Sequence, residues 1–421
     1  MPHLDPLQAL TSFRASLPSA ARLYVAGGSG EPAAIVDAFR TKPDLAAHIT
    51  FIGAWIPGLN SVDWASLAPD ARMETIFMSG AFRASFEAGR TALMPFSYSR
   101  AWSWLQQTRL DGAVIMVSPP DADGRVSLGV SVDFSEAILG RPDIPVLGLI
   151  NHNMPRPLDG PSFPISRFAI MAETTTPLIE LQPTKLSPAL HDIATHISGQ
   201  ISDGDTLQFG LGTVQQAVLA HLKSHRDLRI HTGMVSDPLL DLLDAGSIST
   251  DAGAVVTGVA LGTPRLYERV SSDTRFQFRS VPHTHGLDAL SALPNFRAIN
   301  SAVEIDLFGQ INAEFMNGQQ ISGTGGLADF LRGAANAPDG RSIVALPATT
   351  KGGRVSRIVP CLNTNITTVS RADTDTVITE FGIANLKYKS LDARATALID
   401  IAAPDFRDQL SDQWDAIRRT M

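Results

Sequence analysis

Residues able to do chemistry fall in a few short runs. Two glycine turns, Gly27-Gly28-Ser29-Gly30 and Gly210-Leu211-Gly212-Thr213, each follow an apolar run and precede a helical pattern. Such turns can aim backbone N–H groups at an anion, so dinucleotide binding is the first chemistry to weigh. Gln215 stands where the third glycine of that fingerprint belongs, and the first turn also misses the spacing. What remains is a tight strand-to-helix turn, which leaves open whether its amides face a ligand. His283-Thr284-His285 carries imidazoles at alternate positions, which would share one face of a strand, but no Cys or carboxylate at ligand spacing completes a metal site. No metal is expected. The acidic pairs Glu304/Asp306 and Asp373/Asp375 identify no acid/base enzyme, because isolated strand carboxylates are usually solvated or paired with a cation. Neither a Walker A sequence nor a Gly-x-Ser-x-Gly elbow is present.

The elements that must position these residues repeat. Leu23-Tyr24-Val25-Ala26 reads as a buried strand, followed by the first glycine turn and then Pro32 opening a helix with Ile35, Val36 and Phe39 on one face. Thr206-Leu207-Gln208-Phe209, the second turn, and a helix bearing Val214, Ala217, Val218 and Leu222 restate that order. The chain therefore reads as two related α/β halves. The segment from Leu181 to Pro188, with Pro183 and Pro188, separates them, and an amphipathic helix follows through Ile193 and Ile197. The boundary is set near residue 185, giving domains 1–185 and 186–421. Leu228-Arg229-Ile230-His231 predicts a strand, and Asp237-Pro238 predicts the N-cap and first residue of a helix that Gly246 ends. Residues 232 to 236 then lie beyond the carboxyl end of a strand, where open α/β sheets bind ligands.

Composition narrows the function classes. In 421 residues, 34 Lys and Arg against 42 Asp and Glu give a net charge of −8. That balance argues against nucleic acid as partner, since phosphate neutralisation supplies most of such affinity. The single Cys361 allows no intrachain disulfide. The start, Met1-Pro2-His3-Leu4-Asp5-Pro6, lacks the features of a signal peptide, and no apolar run approaches a membrane span, so a soluble cytoplasmic protein is expected.

Longer segments carry a resemblance. Asn300-Ser301-Ala302-Val303-Glu304-Ile305-Asp306-Leu307-Phe308-Gly309-Gln310-Ile311-Asn312-Ala313-Glu314 is followed by Ser322-Gly323-Thr324-Gly325-Gly326-Leu327-Ala328-Asp329-Phe330. With Ser118-Pro119-Pro120-Asp121, Asn153-Met154-Pro155-Arg156, Gly262-Thr263-Pro264-Arg265-Leu266-Tyr267 and Thr379-Glu380-Phe381-Gly382-Ile383-Ala384, these resemble the acetyl-CoA hydrolase/transferase family almost end to end. The family comprises class I CoA-transferases such as 4-hydroxybutyrate CoA-transferases. The resemblance implies two open α/β domains of the CoA-transferase type (NagB/RpiA-like), a homodimer or higher oligomer, and acyl-CoA and a small organic acid as partners, with the CoA thioester as co-substrate.

Members of that family resemble ping-pong catalysts in which a glutamate of a His-Ser/Thr-Glu-Met-x-Ser-Asp segment holds CoA as a thioester. Here the segment reads His231-Thr232-Gly233-Met234-Val235-Ser236-Asp237, so the nucleophile position is Gly233. By resemblance, backbone near Gly212, Gly323, Gly325 and Gly326 contacts the thioester oxygen and CoA, and His231, Asn300, Asn153 and Arg156 are candidates for the active-site face, the last two for binding substrate. Arg100 departs from the family, standing where many members carry an acidic residue, and an Arg fork there or at Arg156 could hold a substrate carboxylate. Lys387, Lys389 and Arg357 are the cations nearest to hand for CoA. Phe82, Phe86, Phe96, Tyr98, Trp102 and Trp104 surround Arg100 in sequence and are candidates to line an acceptor pocket. Three outcomes of the missing glutamate are open. The first is acyl-CoA-dependent transfer without a glutamyl-CoA intermediate, in which a reactant takes the vacated space; one form is CoA-dependent carbon–carbon cleavage of a β-keto acid. The second is ordinary transfer or hydrolysis by a substitute carboxylate, Glu31 or Glu314. The third is a non-catalytic acyl-CoA binder.

Overall fold

Val114, Ile115, Met116 and Val117 are buried without alternation, as are Leu147, Leu149 and Ile150. Strands of this kind need cover on both faces, which parallel sheets provide. A computed structural model describes residues 4–182, 188–210, 212–350, 352–363 and 366–421. It shows two mainly parallel sheets. The first has seven strands, in the order Thr91–Leu93, Arg72–Thr75, Thr50–Gly53, Arg22–Val25, Gly112–Val117, Val146–Asn151 and Ile170–Thr174, all parallel. The second has eight, in the order Phe276–Phe278, Val255–Thr257, Arg229–His231, Thr206–Phe209, Phe296–Ser301, Arg341–Ala345, Thr376–Thr379 and Gly382–Asn385, with only the last antiparallel.

Both sheets grow outward from a first strand in one direction and then return to its other side. Each therefore has a reversal of strand order, beside Arg22–Val25 in the first and beside Thr206–Phe209 in the second. The glycine turns leave the carboxyl ends of those two strands. The helices expected after them span Ala33–Thr41 and Thr213–His221, burying Ile35, Val36 and Phe39 in one and Val214, Ala217 and Val218 in the other. Gly212 needs its missing side chain, with φ at +125°. The residue 185 boundary falls outside the described residues.

Two local expectations change. Asp237 precedes the helix Pro238–Asp244, but its carboxylate makes no capping bond there. It accepts instead from Thr263 N at 2.7 Å and Thr263 Oγ1 at 2.6 Å, tying two loops together. His283-Thr284-His285 is the end of a short helix, Val281–Thr284, rather than a strand, so the two imidazoles do not share a strand face. One apolar core runs from Phe13 and Phe51 in the first half through Leu219, Leu240 and Phe278 to Ile299 and Ile343 in the second. The halves thus share packing, and any cleft between them has fixed walls.

Candidate active site between the two sheets

A cavity of about 300 Å³ opens at the reversal point of the second sheet. Phe209 and Gly210 form one wall, Thr232, Gly233 and Met234 another, and Asn300 and Ser301 a third. The loop Ser322–Gly326 closes it, and the first half contributes Ile56, Pro57, Phe77 and Tyr98. Among the described residues that line it there is no Asp, Glu, Lys or Arg. A second cavity of about 300 Å³ shares Pro57, Phe209, Gly210 and Gln215 with the first and extends past Gly212 to Ser236 and Asp237.

The polar groups of the cavity are neutral and mostly paired. Asn300 Nδ2 donates to Gln208 Oε1 at 2.8 Å, and Gln208 Nε2 returns a bond to Asn300 Oδ1 at 3.3 Å. Gln215 Nε2 donates to Ser301 Oγ at 3.1 Å, while the buried Gln215 Oε1 has no partner among the described residues. A buried acceptor left open at a cavity wall is a place for a ligand N–H or water. Positive potential comes from backbone: Gly212 and Gly326 stand immediately before the helices Thr213–His221 and Leu327–Asn336, whose amino ends favour anions.

Gly233 lines this cavity, and its missing side chain is used. A Cβ there would lie 2.6 Å from His285 Cε1 and 2.8 Å from Nε2. A Cβ at Gly326 would lie 2.7 Å from the other side of the same Nε2. Tyr98 stacks on the ring at 4.5 Å, and Phe330 meets it at 4.5 Å with a 42° tilt. The imidazole edge is therefore wedged between two glycines and held between two aromatic rings. The volume expected to be open to a reactant is in part filled by His285, and the free space lies beside it.

The glycine loop is docked on the first half. Met78 N donates to Ser322 O at 3.3 Å and Tyr98 N to Gly325 O at 3.1 Å. Just beyond, Asp329 accepts from Ser99 Oγ at 2.6 Å, Ser97 Oγ at 3.0 Å and Ser99 N at 3.1 Å. It thereby binds the start of the first half's helix Tyr98–Gln107 to the helix that follows the loop. An Asp329→Ala variant leaves Ser99 N without this acceptor and the Ser97 and Ser99 hydroxyls with only each other, 3.1 Å apart; the expected loss is about 1–3 kcal/mol, read as a lower denaturation midpoint.

The other residues singled out in the sequence lie at several distances from this cavity. Asn300, Gly323, Gly325 and Gly326 line it, and Gly212 lines its neighbour. His231 is buried behind it, with Nε2 donating to His283 O at 3.0 Å, and so anchors the segment that carries His285. Asn153 lines a different cavity, of about 630 Å³, with Nδ2 donating to Thr175 O at 2.7 Å. Arg156 pairs with Asp121 and donates to Arg125 O at 3.0 Å. Arg100 is exposed on its helix. Of the six aromatic candidates only Tyr98 reaches the cavity. Lys387 lies 3.9 Å from Asp375 in a cavity near Arg297 and Arg341, at the amino ends of the strands those arginines belong to. Glu314 is held by Gln320 Nε2 at 2.8 Å and Thr368 Oγ1 at 2.9 Å. Neither Glu314 nor Glu31 lines the cavity. The described residues contain no group of three or more His, Cys, Asp or Glu able to hold a metal ion, and no helix among them is long and apolar enough to cross a membrane.

Two groups were not legible as site residues. In the sequence His285 invites only a metal-site reading, and no spacing rule links it to Gly233. Asp133, a half-buried residue whose buried Oδ1 has no partner among the described residues, lies behind Gly233: it crowds Gly258, whose N donates to Gly233 O at 3.1 Å.

Burial sets the charges of this region in opposite senses. It pulls His285 down to about 3 and His231 to about 4, and pushes Glu31 and Asp133 up to about 7. As pH falls below the ordinary histidine value, the unfolded chain takes up protons the two folded imidazoles refuse, so stability is lost down to their folded values. The two carboxyls act oppositely, because the folded form holds their protons and gains stability as pH falls through about 7. Glu31→Gln removes one offsetting group. Between about pH 5 and 6.5 its stability should drop on acidification more steeply than the parent's by about 1.4 kcal/mol per pH unit, measured by urea titration at each pH.

Comparisons with known proteins agree with the α/β fold of mainly parallel sheets. The acetyl-CoA hydrolase/transferase N-terminal domain matches residues 15–163, and the C-terminal domain matches residues 262–414. The 4-hydroxybutyrate coenzyme A transferase of Clostridium kluyveri is 35% identical over 401 residues, covering 93% of each chain. The chain belongs to the acetyl-CoA hydrolase/transferase family. A butyryl-CoA:acetate CoA-transferase of Anaerostipes caccae is 36% identical to this family member, covering 79% of the chain and 78% of the relative. Among solved structures, RipA from Yersinia pestis superposes with a TM-score of 0.88 at 29% identity, covering 99% of this chain and 97% of that one. The 4-hydroxybutyrate CoA-transferase of Porphyromonas gingivalis gives 0.79 at 29% identity, covering 98% and 97%. The two domain matches of this family member leave residues 164–261, and with them Gly233, between them.

Proposed function

We propose that the protein moves CoA or an acyl group between an acyl-CoA and a small organic acid within a ternary complex, with no CoA held covalently on the chain. The observation that carries this reading is the cavity at Gly233, lined among the described residues by neutral groups alone. Among the described residues no carboxylate lines the place where it could attack, so the attacking carboxylate comes from the acid substrate. Its oxygen adds to the thioester carbonyl, and the C–S bond breaks to give a mixed anhydride and CoA thiolate. The thiolate then attacks the acid's own carbonyl, releasing the donor's carboxylate and a new acyl-CoA. Holding both reactants in one cavity supplies the proximity that the covalent route obtains by attachment. Ile56, Phe77, Leu327 and Phe330 keep the lining largely apolar, which limits hydrolysis of the anhydride.

The test is incubation with acetyl-CoA and a panel of carboxylic and β-keto acids, with every CoA product and the intact protein identified by mass. A new acyl-CoA with unmodified protein is the expected outcome. A CoA adduct on Glu31 or Glu314, or tight binding of acetyl-CoA without any product, would contradict it.

A further inference from the structure

We propose that His285 is a catalytic residue: a neutral imidazole that donates from Nε2–H to the thioester carbonyl oxygen. The inference rests on the transfer reading above and names the side chain that takes the place of a residue at 233. Its basis is geometric. The ring lines the cavity, its Nε2 edge lies between the Cα positions of Gly233 and Gly326, and both glycines must lack a Cβ for it to lie there. Tyr98 and Phe330 leave it no freedom to rotate away.

The tautomer follows from hydrogen-bond accounting. Nδ1 is 2.8 Å from Thr284 Oγ1. The Thr284 hydroxyl also approaches Ser280 O, at 3.4 Å, but that carbonyl already accepts from His283 N at 3.0 Å and Thr284 N at 3.1 Å. We assign the hydroxyl proton to Nδ1, the shorter of its two contacts, and with it the ring proton to Nε2. Burial reinforces the neutral form, because it holds the ring well below the usual histidine range. A neutral donor of this kind suits a carbonyl that becomes an oxyanion, since nothing has to be deprotonated or reorganised as charge develops. As the acid's oxygen adds to the thioester carbon, the π pair moves onto the carbonyl oxygen and is met by Nε2–H and by amides of the Gly323–Gly326 loop. Collapse of that adduct expels CoA thiolate, and the imidazole keeps its proton throughout. His231, which donates to His283 O, is the positioning residue of this segment.

The experiment uses the full chain with ¹⁵N-labelled histidine, with the His285 signals assigned against His285→Gln. The expected spectrum shows an Nε2-protonated neutral ring that shifts when acetyl-CoA alone is added, and this readout does not depend on turnover. In kinetics with a productive acid, His285→Ala should lower kcat by about 10²–10³-fold with little change in KM for acetyl-CoA. His285→Gln, which keeps an N–H, should retain at least about tenfold more of the rate than His285→Ala. An Nδ1-protonated ring, an acetyl group trapped on His285, or His285→Ala turning over at the parent rate would each overturn the role while leaving transfer itself intact. Absence of any new acyl-CoA from the parent would instead fail the transfer reading, with the spectrum still deciding the tautomer and the contact.

Discussion

Gly233→Glu, which would supply the carboxylate that the family resemblance assigns to this position, is expected to yield no CoA adduct on its own and to destabilise the protein. The new Cβ would sit 2.6 Å from His285 Cε1, and the ring has no retreat, with Tyr98 and Phe330 on its faces and Gly326 beyond its edge. Overpacking a fixed site typically costs about 1–3 kcal/mol, and a buried unpaired carboxylate adds to that. Adding His285→Ala removes the obstruction. The double variant should recover stability relative to Gly233→Glu and show a mass increase of one CoA less one water, the glutamyl-CoA thioester, on incubation with acetyl-CoA. Denaturant midpoints and intact-protein mass distinguish the three proteins. A stable single variant that accumulates the adduct would mean that the imidazole yields its place freely.

Gly323→Ala is the second large effect. A Cβ there would penetrate the carbonyl oxygen of Ile76, which is backbone of the first half's wall and cannot swing aside as a side chain can. The loop would have to lift from Ile76 to Met78, breaking Met78 N to Ser322 O and carrying Gly325 and Gly326 away from the thioester position. Displacements of about 1 Å at a reacting centre can cost on the order of 10²-fold in rate, so transfer should fall at least that far. Acetyl-CoA turnover by purified Gly323→Ala is the measurement. Gly318→Ala provides the comparison, since a Cβ at Gly318 meets nothing within 4 Å and only its φ of +76° is strained. Activity of Gly323→Ala equal to that of Gly318→Ala would show that the loop is not held as described.

Much of the frame was legible because it is written in local patterns. Apolar runs such as residues 23–26 and 206–209 and the glycine turn at Gly210–Gly212 announce buried strands and their exits, and both halves repeat the same order. The neighbourhood of Gly233 at a strand's carboxyl end followed from Leu228 to Asp237 in the same way. What sequence did not carry was which long-range partner fills the missing side-chain volume. His285 comes to Gly233 through the return of the chain after the strand Phe276–Phe278, and only packing shows it. Arg100 and Arg156 illustrate the converse. Each has the chemistry to hold a carboxylate, yet one points to solvent and the other is engaged with Asp121. Asp237 likewise looked like a helix cap and instead binds Thr263, because a tertiary pair of donors at 2.6 and 2.7 Å outcompetes the local one.

Whether the acid or the protein attacks the thioester is decided most directly by initial rates with acetyl-CoA and a productive acid varied together. Attack inside a ternary complex predicts double-reciprocal lines that intersect. Parallel lines would show that the donor's carboxylate leaves before the acid binds, and that some group of the chain holds CoA after all.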